Sequence, residues 1–256
     1  RVVYAESLSN PTLRVTNLPM LAEVAHAHKA QLVVDNTFTP LGVTPTDHGA
    51  DVVVHSLTKF VNGASDFIAG AVCGREEFIG SLMDLHVGPL MLLGPTMDPQ
   101  VAHSISLRIP HLPIRMIEHA RRAQVFAQRL EQAGVKVSYP GLESHPDHQL
   151  LQKIGRPEYG FGGLLTIDAG ERAKAEALMD DLQNAEGFGF MAVSLGYFDT
   201  LMSCSASSTS SELSDEALAA AGIAPGLVRM SIGFTGSLEQ RWQQLNRALQ
   251  RVGVIA

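Results

Sequence analysis

The sequence predicts an α/β protein with a mostly parallel sheet in its first part and a smaller α+β domain in its second part. Residues 31–35 and 51–56 are apolar on both faces, which is typical of strands buried inside a parallel sheet. Helical or loop segments separate the strands of this first part, as in crossover connections. The later strands are more widely spaced, so we divide the chain into domains 1–112 and 113–256.

The elements of the first domain follow from local patterns. Leu18, Leu21, Ala22 and Ala25 recur at helical spacing, and β-branched residues are concentrated in the strand segments. Several prolines between residues 89 and 113 mark the change to the second domain. The predicted elements are strand 2–5, helix 18–29, strand 31–35, strand 51–56 and a further strand of the same buried kind at 68–73.

The second domain opens with a long helix from 113 to about 134, rich in Arg, Gln and Ala. In its last helix Leu238, Trp242, Leu245 and Leu249 step by three and four residues, and Ser237 provides a cap at the start. The remaining predicted elements are strands 135–139, 163–168, 191–195 and 227–234, and helices 171–184 and 237–252. A serine-rich patch at 203–214 reads, by composition alone, as a linker.

Composition excludes several classes of protein. The chain of 256 residues is 45% apolar with a net charge of −7, which argues against disorder and against a nucleic-acid partner. No apolar run approaches the roughly 20 residues that span a bilayer, so we expect no membrane association. Cys73 and Cys204 lie far apart and form no CxxC pair, which predicts neither a disulfide framework nor a metal site, and favours a cytoplasmic location.

Candidate chemistry follows the two buried strands. Asp35 ends the first of them, and Lys59 follows the second, with the hydroxyl residues Ser56 and Thr58 three positions and one position before it. Ligands of open α/β sheets bind at the carboxyl ends of the strands. A lysine in that place can serve a phosphate or form a Schiff base. The alternative, an exposed lysine after a strand with Ser56 and Thr58 as ordinary turn residues, is about equally consistent with the pattern.

Arg229 interrupts the apolar strand predicted at 227–234. A charge in a buried strand is costly unless it is paired, and an arginine there usually forks onto a carboxylate. The carboxylate belongs either to a ligand or to an internal acidic residue, and the sequence alone leaves both open.

Five segments, taken in order, resemble the Cys/Met-metabolism family of enzymes that depend on pyridoxal 5′-phosphate (PLP). Each is weak alone, but their order along nearly the whole chain is specific. This family includes cystathionine γ-lyases, cystathionine γ-synthases, methionine γ-lyases and O-acylhomoserine sulfhydrylases. The segments are residues 6–11 (ESLSNP), 34–38 (VDNTF), 49–60 (GADVVVHSLTKF) with 66–70 (DFIAG), 194–196 (SLG) and 227–231 (LVRMS).

The resemblance implies a fold type I, aminotransferase-like architecture and a set of cofactor ligands. Lys59 matches the lysine that holds PLP covalently and then moves protons. Asp35 matches the acid that pairs with the pyridine nitrogen, which makes the ring an electron sink. Ser56 and Thr58 match phosphate ligands, and Asn10 matches the residue near the phenolic oxygen of the cofactor.

For the substrate, the resemblance implies that Arg229 forks onto the carboxylate, with Asn10 near that carboxylate and Ser194 beside Arg229. Residues 192–213 are similar to the methionine γ-lyase branch typified by plant enzymes, and there the serine patch reads as active-site wall. Val193 precedes the SLG segment, where cystathionine γ-lyases tend to carry an acid. An apolar residue suits a methyl thioether.

The expected activity is therefore γ-elimination on L-methionine. Cystathionine γ-lyase activity and γ-replacement on an O-acylhomoserine, which shares early steps with elimination, are the alternatives, and a non-catalytic remnant is a remote one. Family members are longer, so we expect this chain to lack an N-terminal part with a glycine-rich phosphate turn and a ring-stacking tyrosine. The resemblance also implies a homotetramer, a dimer of dimers with shared active sites.

Overall fold

Two β-sheets organise the chain, which is described here from a computed structural model over residues 1–205 and 214–255. The strands are β1 (Val2–Glu6), β2 (Gln31–Asp35), β3 (Val52–Ser56), β4 (Gly70–Gly74), β5 (Lys136–Ser138), β6 (Leu164–Asp168), β7 (Gly189–Met191), β8 (Thr200–Cys204) and β9 (Leu227–Ser231). The helices are α1 (Leu18–Ala27), α2 (Glu76–Leu82), α3 (Pro89–Leu93), α4 (Pro99–Arg108), α5 (Leu112–Gln132), α6 (His148–Ile154), α7 (Arg172–Asp180), α8 (Asp215–Ala220) and α9 (Leu238–Arg251).

The first sheet has the strand order β1-β2-β3-β4, and its first three strands are parallel. Glu6 pairs with Asp35 and Asp35 with Val54, so the carboxyl ends of these strands lie at one edge. Parallel strands buried on both faces need apolar runs, which explains why the sequence pattern found β2 and β3.

The prediction of a further buried parallel strand at 68–73 is wrong. β4 runs antiparallel to β3 and is mostly exposed, with Val72 among the exposed apolar residues. The reason is the connection from 57 to 69, which forms the turn that carries Lys59 and does not cross back along the sheet. A parallel pairing would need such a crossover.

The second sheet has the order β5-β6-β9-β8-β7 and is antiparallel except for the β7–β8 pair. One of its faces carries the apolar residues Leu165, Ile167, Met202, Val228 and Met230, which share a core with α5, α7 and α9. The opposite face carries buried polar residues, including Arg229 paired between Thr166 and Ser203. Strand alternation therefore turns one side of this sheet into a polar wall.

Helix boundaries agree best where caps and periodicity are strong. The Ser237 hydroxyl accepts a 3.1 Å hydrogen bond from the Gln240 amide at the start of α9, as predicted.

The predicted strand at 191–195 is wrong, because strand pairing ends at Met191 and the chain then turns toward Lys59. Periodicity did not predict β8 or the helices α2, α3, α4, α6 and α8.

Helix α5 contacts two separate cores. Leu112 and Met116 pack with the first sheet, whereas Phe126 and Leu130 pack with the second. The proposed boundary at 112/113 falls at the start of this helix and stays a prediction. Most of the serine patch, residues 206–213, lies outside the described residues.

In the part of the chain that the structure describes, no helix combines the length and hydropathy needed to cross a membrane.

Candidate active site

A cleft of about 210 Å³ lies between the carboxyl edge of the first sheet and the polar face of the second. It brings together all the predicted site residues except Thr58, although they come from distant parts of the sequence. The lining residues are Glu6, Leu8, Asn10, Asp35, Thr37, Phe38, Ser56, Lys59, Val193, Ser194, Leu195 and Arg229.

Lys59 reaches into this cleft from the turn that follows β3. Its Nζ donates a 3.0 Å hydrogen bond to the Ser194 hydroxyl. Partial burial, and secondly the positive charge of Arg229, lower the pKa of Lys59 from its ordinary value. A lysine whose charged form is disfavoured is a better nucleophile and proton acceptor near neutral pH.

Gly196 lets the segment after Ser194 approach the Lys59 backbone closely. Its φ of +75° favours glycine, and a Cβ there would lie 2.4 Å from the backbone nitrogen of Phe60. The Gly196 amide donates a 2.8 Å hydrogen bond to the Ser231 hydroxyl on β9. The SLG segment is therefore held between the lysine turn and the strand that carries Arg229.

Asp35 ends β2 with its carboxylate in the cleft. Its Oδ1 accepts a 2.9 Å hydrogen bond from the Thr37 amide, and its Oδ2 accepts one of 3.2 Å from the Tyr4 hydroxyl. Partial burial, and then the neighbouring Asp35 carboxylate, raise the pKa of Tyr4. Tyr4 is not among the predicted site residues, and no local pattern marks it, because its approach to Asp35 depends on the pairing of β1 with β2.

The two predicted phosphate ligands differ in their surroundings. Ser56 lines the cleft, and its amide donates to the Thr37 hydroxyl at 2.8 Å. The Thr58 hydroxyl accepts a 3.0 Å hydrogen bond from the Ala69 amide and donates to the Ala69 carbonyl at 3.3 Å. Thr58 thus closes the lysine turn against the start of β4, whereas Ser56 faces the open space.

Arg229 lies in the middle of β9 and is only 3% exposed. Its Nη1 donates to Asn10 Oδ1 at 2.9 Å and its Nη2 to the Ser194 carbonyl at 3.0 Å. Burial lowers the pKa of Arg229 to about 10. Among residues 1–205 and 214–255 no carboxylate pairs with it, so the internal salt bridge left open by the sequence is wrong for this part of the chain.

Glu6 is a second residue that the sequence analysis did not single out. Its carboxylate accepts a 2.9 Å hydrogen bond from the Asn10 amide, which shapes the turn that carries Asn10. Burial raises the pKa of Glu6, although that hydrogen bond acts in the opposite direction. Its place at the start of segment 6–11 was the available sequence signal, whereas its position beside Asp35 depends on the strand register.

Comparison with known proteins identifies the family. The family model described as "Cys/Met metabolism PLP-dependent enzyme" matches residues 1–250. Methionine gamma-lyase from Arabidopsis thaliana is 56% identical over 98% of this chain and 57% of its own length. L-methionine gamma-lyase from Treponema denticola is 37% identical over 98% of this chain and 62% of its own. The chain thus spans about three fifths of these curated relatives.

Solved structures agree with this result. A cystathionine gamma synthase from Xanthomonas oryzae pv. oryzae superposes with a TM-score of 0.89 at 36% identity, over 98% of this chain and 63% of that one. The cystathionine gamma-lyase CalE6 from Micromonospora echinospora gives 0.87 at 30% identity, over 97% and 64%. These likenesses confirm the predicted fold class. The chain belongs to the Cys/Met metabolism family of PLP-dependent enzymes.

Proposed function

We propose that the cleft binds PLP and catalyses γ-elimination on L-methionine. The observation that carries the substrate class is Arg229, a buried guanidinium with two fixed polar contacts, no carboxylate partner in the described residues, and a place on the cleft wall. A buried, unpaired cation is costly, and the carboxylate of an amino acid would complete it with a bidentate pair.

The residues present fit the cofactor. Lys59 would hold PLP covalently through Nζ, and Asp35 would pair with the pyridine nitrogen. Ser56 would donate to the phosphate, Thr58 would do so only by giving up its bond to the Ala69 carbonyl, and Asn10 would lie near the phenolic oxygen. This assignment is supported by the partly buried Lys59, the Asp35 carboxylate and Ser56, which all line the cleft. When bound, PLP supplies an electron sink for charge that develops at the substrate Cα.

The chain's own residues would then divide the work. Arg229 and Asn10 orient the substrate carboxylate, which places the Cα–H bond over Lys59. The Nζ of Lys59 takes the Cα proton, and its lowered pKa makes the neutral amine accessible. Ser194 accepts a hydrogen bond from Nζ and holds it on this side of the cleft. Val193 gives an apolar wall for a thioether.

The proposed overall reaction balances without an oxidant or reductant. L-Methionine and one water molecule yield methanethiol, 2-oxobutanoate and ammonia, because the Cγ–S bond breaks and the amino group is hydrolysed. The names of the relatives from Arabidopsis thaliana and Treponema denticola support methionine as the substrate. The likeness to a cystathionine gamma synthase makes γ-replacement the second candidate.

Product analysis with the purified full-length protein tests this proposal. We expect 2-oxobutanoate and methanethiol from L-methionine, and neither product from the Lys59→Ala variant. Release of 2-oxobutanoate from cystathionine alone, or formation of homocysteine from O-acetylhomoserine and sulfide alone, would overturn the methionine assignment in favour of the respective alternative. A protein that acquires no visible absorbance with PLP would indicate the non-catalytic remnant.

We also propose a homotetramer located in the cytoplasm. Cys73 is exposed and Cys204 buried, and no disulfide occurs in the described part of the chain, which fits a reducing compartment. Exposed apolar side chains are concentrated around α3, at Leu90, Met91, Leu92 and Leu93. Such a patch is typical of a protein–protein contact. Light scattering of the full-length protein measures the assembly, and a monomeric mass would refute the tetramer.

A further inference from the structure

The two peptide carbonyls directly after Lys59 are bonded to an arginine from α5. Arg115 is 9% exposed, and its Nη1 donates to the Phe60 carbonyl while its Nη2 donates to the Val61 carbonyl at 2.8 Å. The guanidinium therefore donates hydrogen bonds to the backbone carbonyls of the first and second residues after the lysine. No chemistry described so far uses this side chain.

The carbonyls of Phe60 and Val61 depend on Arg115 for a hydrogen-bond donor. The turn is closed by bonds from the Lys59 amide to the Ser56 carbonyl and from the Gly63 amide to the Lys59 carbonyl. In the described residues no backbone amide donates to the carbonyls of Phe60 or Val61. Buried carbonyls without a donor are costly, so the fork selects the turn conformation in which both are satisfied.

The surroundings leave the guanidinium little freedom. The Nε of Arg115 donates to His111 Nδ1 at 2.9 Å, which fixes the plane of the fork. A Cβ at Gly63 would lie 2.5 Å from Arg115 Nη1, so a larger residue there would push the guanidinium out of its place. On the other side Gly196 packs against the Lys59–Phe60 peptide. The peptide is held between α5 and the SLG segment.

We propose that Arg115 is a positioning residue that fixes the Nζ of Lys59 against Ser194 for covalent capture of the cofactor and for proton transfer. This inference rests on the proposed function. Without the fork the turn relaxes, and Lys59 loses part of its burial and its alignment. Binding of the substrate carboxylate belongs to Arg229 on β9, so it is retained. The turnover number should fall while KM stays nearly unchanged.

Arg122 provides a matched control. It lies on the same helix, is 7% exposed, and also donates to two backbone carbonyls, those of Thr235 at 3.0 Å and Gly236 at 2.8 Å. These belong to the turn after β9 and not to the lysine turn. Loss of Arg122 therefore removes a comparable structural clamp without releasing Lys59.

The first experiment measures Lys59 without cofactor or substrate. Competitive acetylation of the full-length apo-protein over a range of pH, read by mass spectrometry at Lys59, gives the midpoint of its titration. The charged groups facing Lys59 across the cleft are Glu6, Asp35 and Arg229, and none is changed. We expect Arg115→Gln to move the midpoint to higher pH, Arg115→Lys to move it less, and Arg122→Gln and Arg122→Lys to leave it in place.

The second experiment measures the loaded enzyme. We expect kcat to fall by about 10- to 100-fold in Arg115→Gln with KM within about twofold, because a small misplacement of a reacting group has effects of this size. The Arg122 variants should lose thermal stability but keep kcat. Equal midpoints in the Arg115 and Arg122 series, or a KM effect alone, would overturn the inference. Arg115→Lys decides the question if the Gln variant does not fold.

The two proposals can fail separately. If the wild type is inactive on methionine but the acetylation midpoints differ as expected, the substrate assignment is wrong and the positioning role stands. If the wild type is active and the midpoints agree, the positioning role is wrong.

Discussion

The Nη1 of Arg229 donates a 2.9 Å hydrogen bond to Asn10 Oδ1 across 219 residues of sequence. One residue comes from a buried strand of the second sheet and the other from the turn after β1. The contact joins both sheets in the cleft, and within residues 1–205 and 214–255 it leaves the positive charge of the guanidinium without a carboxylate partner. It therefore orients the arginine without occupying it with an internal acid.

Two variants of Asn10 distinguish the orientation of the Arg229 guanidinium from the availability of its charge. Asn10→Ala removes the acceptor, and we expect the KM for the amino-acid substrate to rise about tenfold, the effect of one charge-assisted hydrogen bond. Asn10→Asp places a carboxylate on the guanidinium, which competes with the substrate, so its KM should rise further. Steady-state kinetics check this order. A KM for Asn10→Asp below that of Asn10→Ala would contradict it.

Replacing Arg229 should change Lys59. The charge of Arg229 is the second cause, after burial, of the lowered pKa of Lys59. Arg229→Leu removes this repulsion, so the pKa of Lys59 should rise toward its ordinary value, whereas Arg229→Lys keeps the charge and should leave it lowered. Amine labelling of the apo-protein against pH measures both variants. Identical titration midpoints in the two variants would mean that burial alone lowers the pKa of Lys59.

Variants of Ser56 and Thr58 should have different effects when cofactor retention and stability are both measured. Removing either hydroxyl should weaken retention of PLP during dialysis. Only Thr58→Val should also destabilise the apo-protein, by about 1 kcal/mol, because the Ala69 amide loses its acceptor. Ser56→Ala is the matched control, and urea unfolding is the measurement. Equal unfolding midpoints for the two variants would refute the structural role of Thr58.

His119 should make the fold sensitive to acid. It is fully buried, and burial lowers its pKa to about 4. An unfolded histidine titrates near pH 6.5, so below that pH the unfolded chain binds the extra proton and the free energy of unfolding falls. The loss should approach about 3 kcal/mol between pH 6.5 and pH 4.

The variant His119→Asn keeps a donor for the Ile232 carbonyl but does not titrate in this range. We expect its unfolding free energy to fall less between pH 6.5 and pH 4 than that of the wild type. His55 and His145, whose pKa values are also lowered by burial, are present in both proteins and cancel in the comparison. Parallel pH profiles would exclude His119 as the cause.

The sequence by itself determined several of the local elements, and together with the family resemblance it identified many of the cleft residues. Apolar runs marked β2 and β3, and the ends of those runs pointed to Asp35 and Lys59. Ser237 and the apolar stripe marked α9. These signals are local, because a cap, a helical period or a strand end is encoded within a few residues.

Only the tertiary structure decided which distant residues meet. The antiparallel direction of β4, the pairing of β8 with the strand of Arg229, and the hydrogen bond from Tyr4 to Asp35 each depend on long-range registers. Arg115 reads from sequence as one more basic residue on a helix rich in arginine. Burial against the lysine turn gives it a distinct place, since a guanidinium removed from water must find acceptors and here finds the carbonyls that follow Lys59.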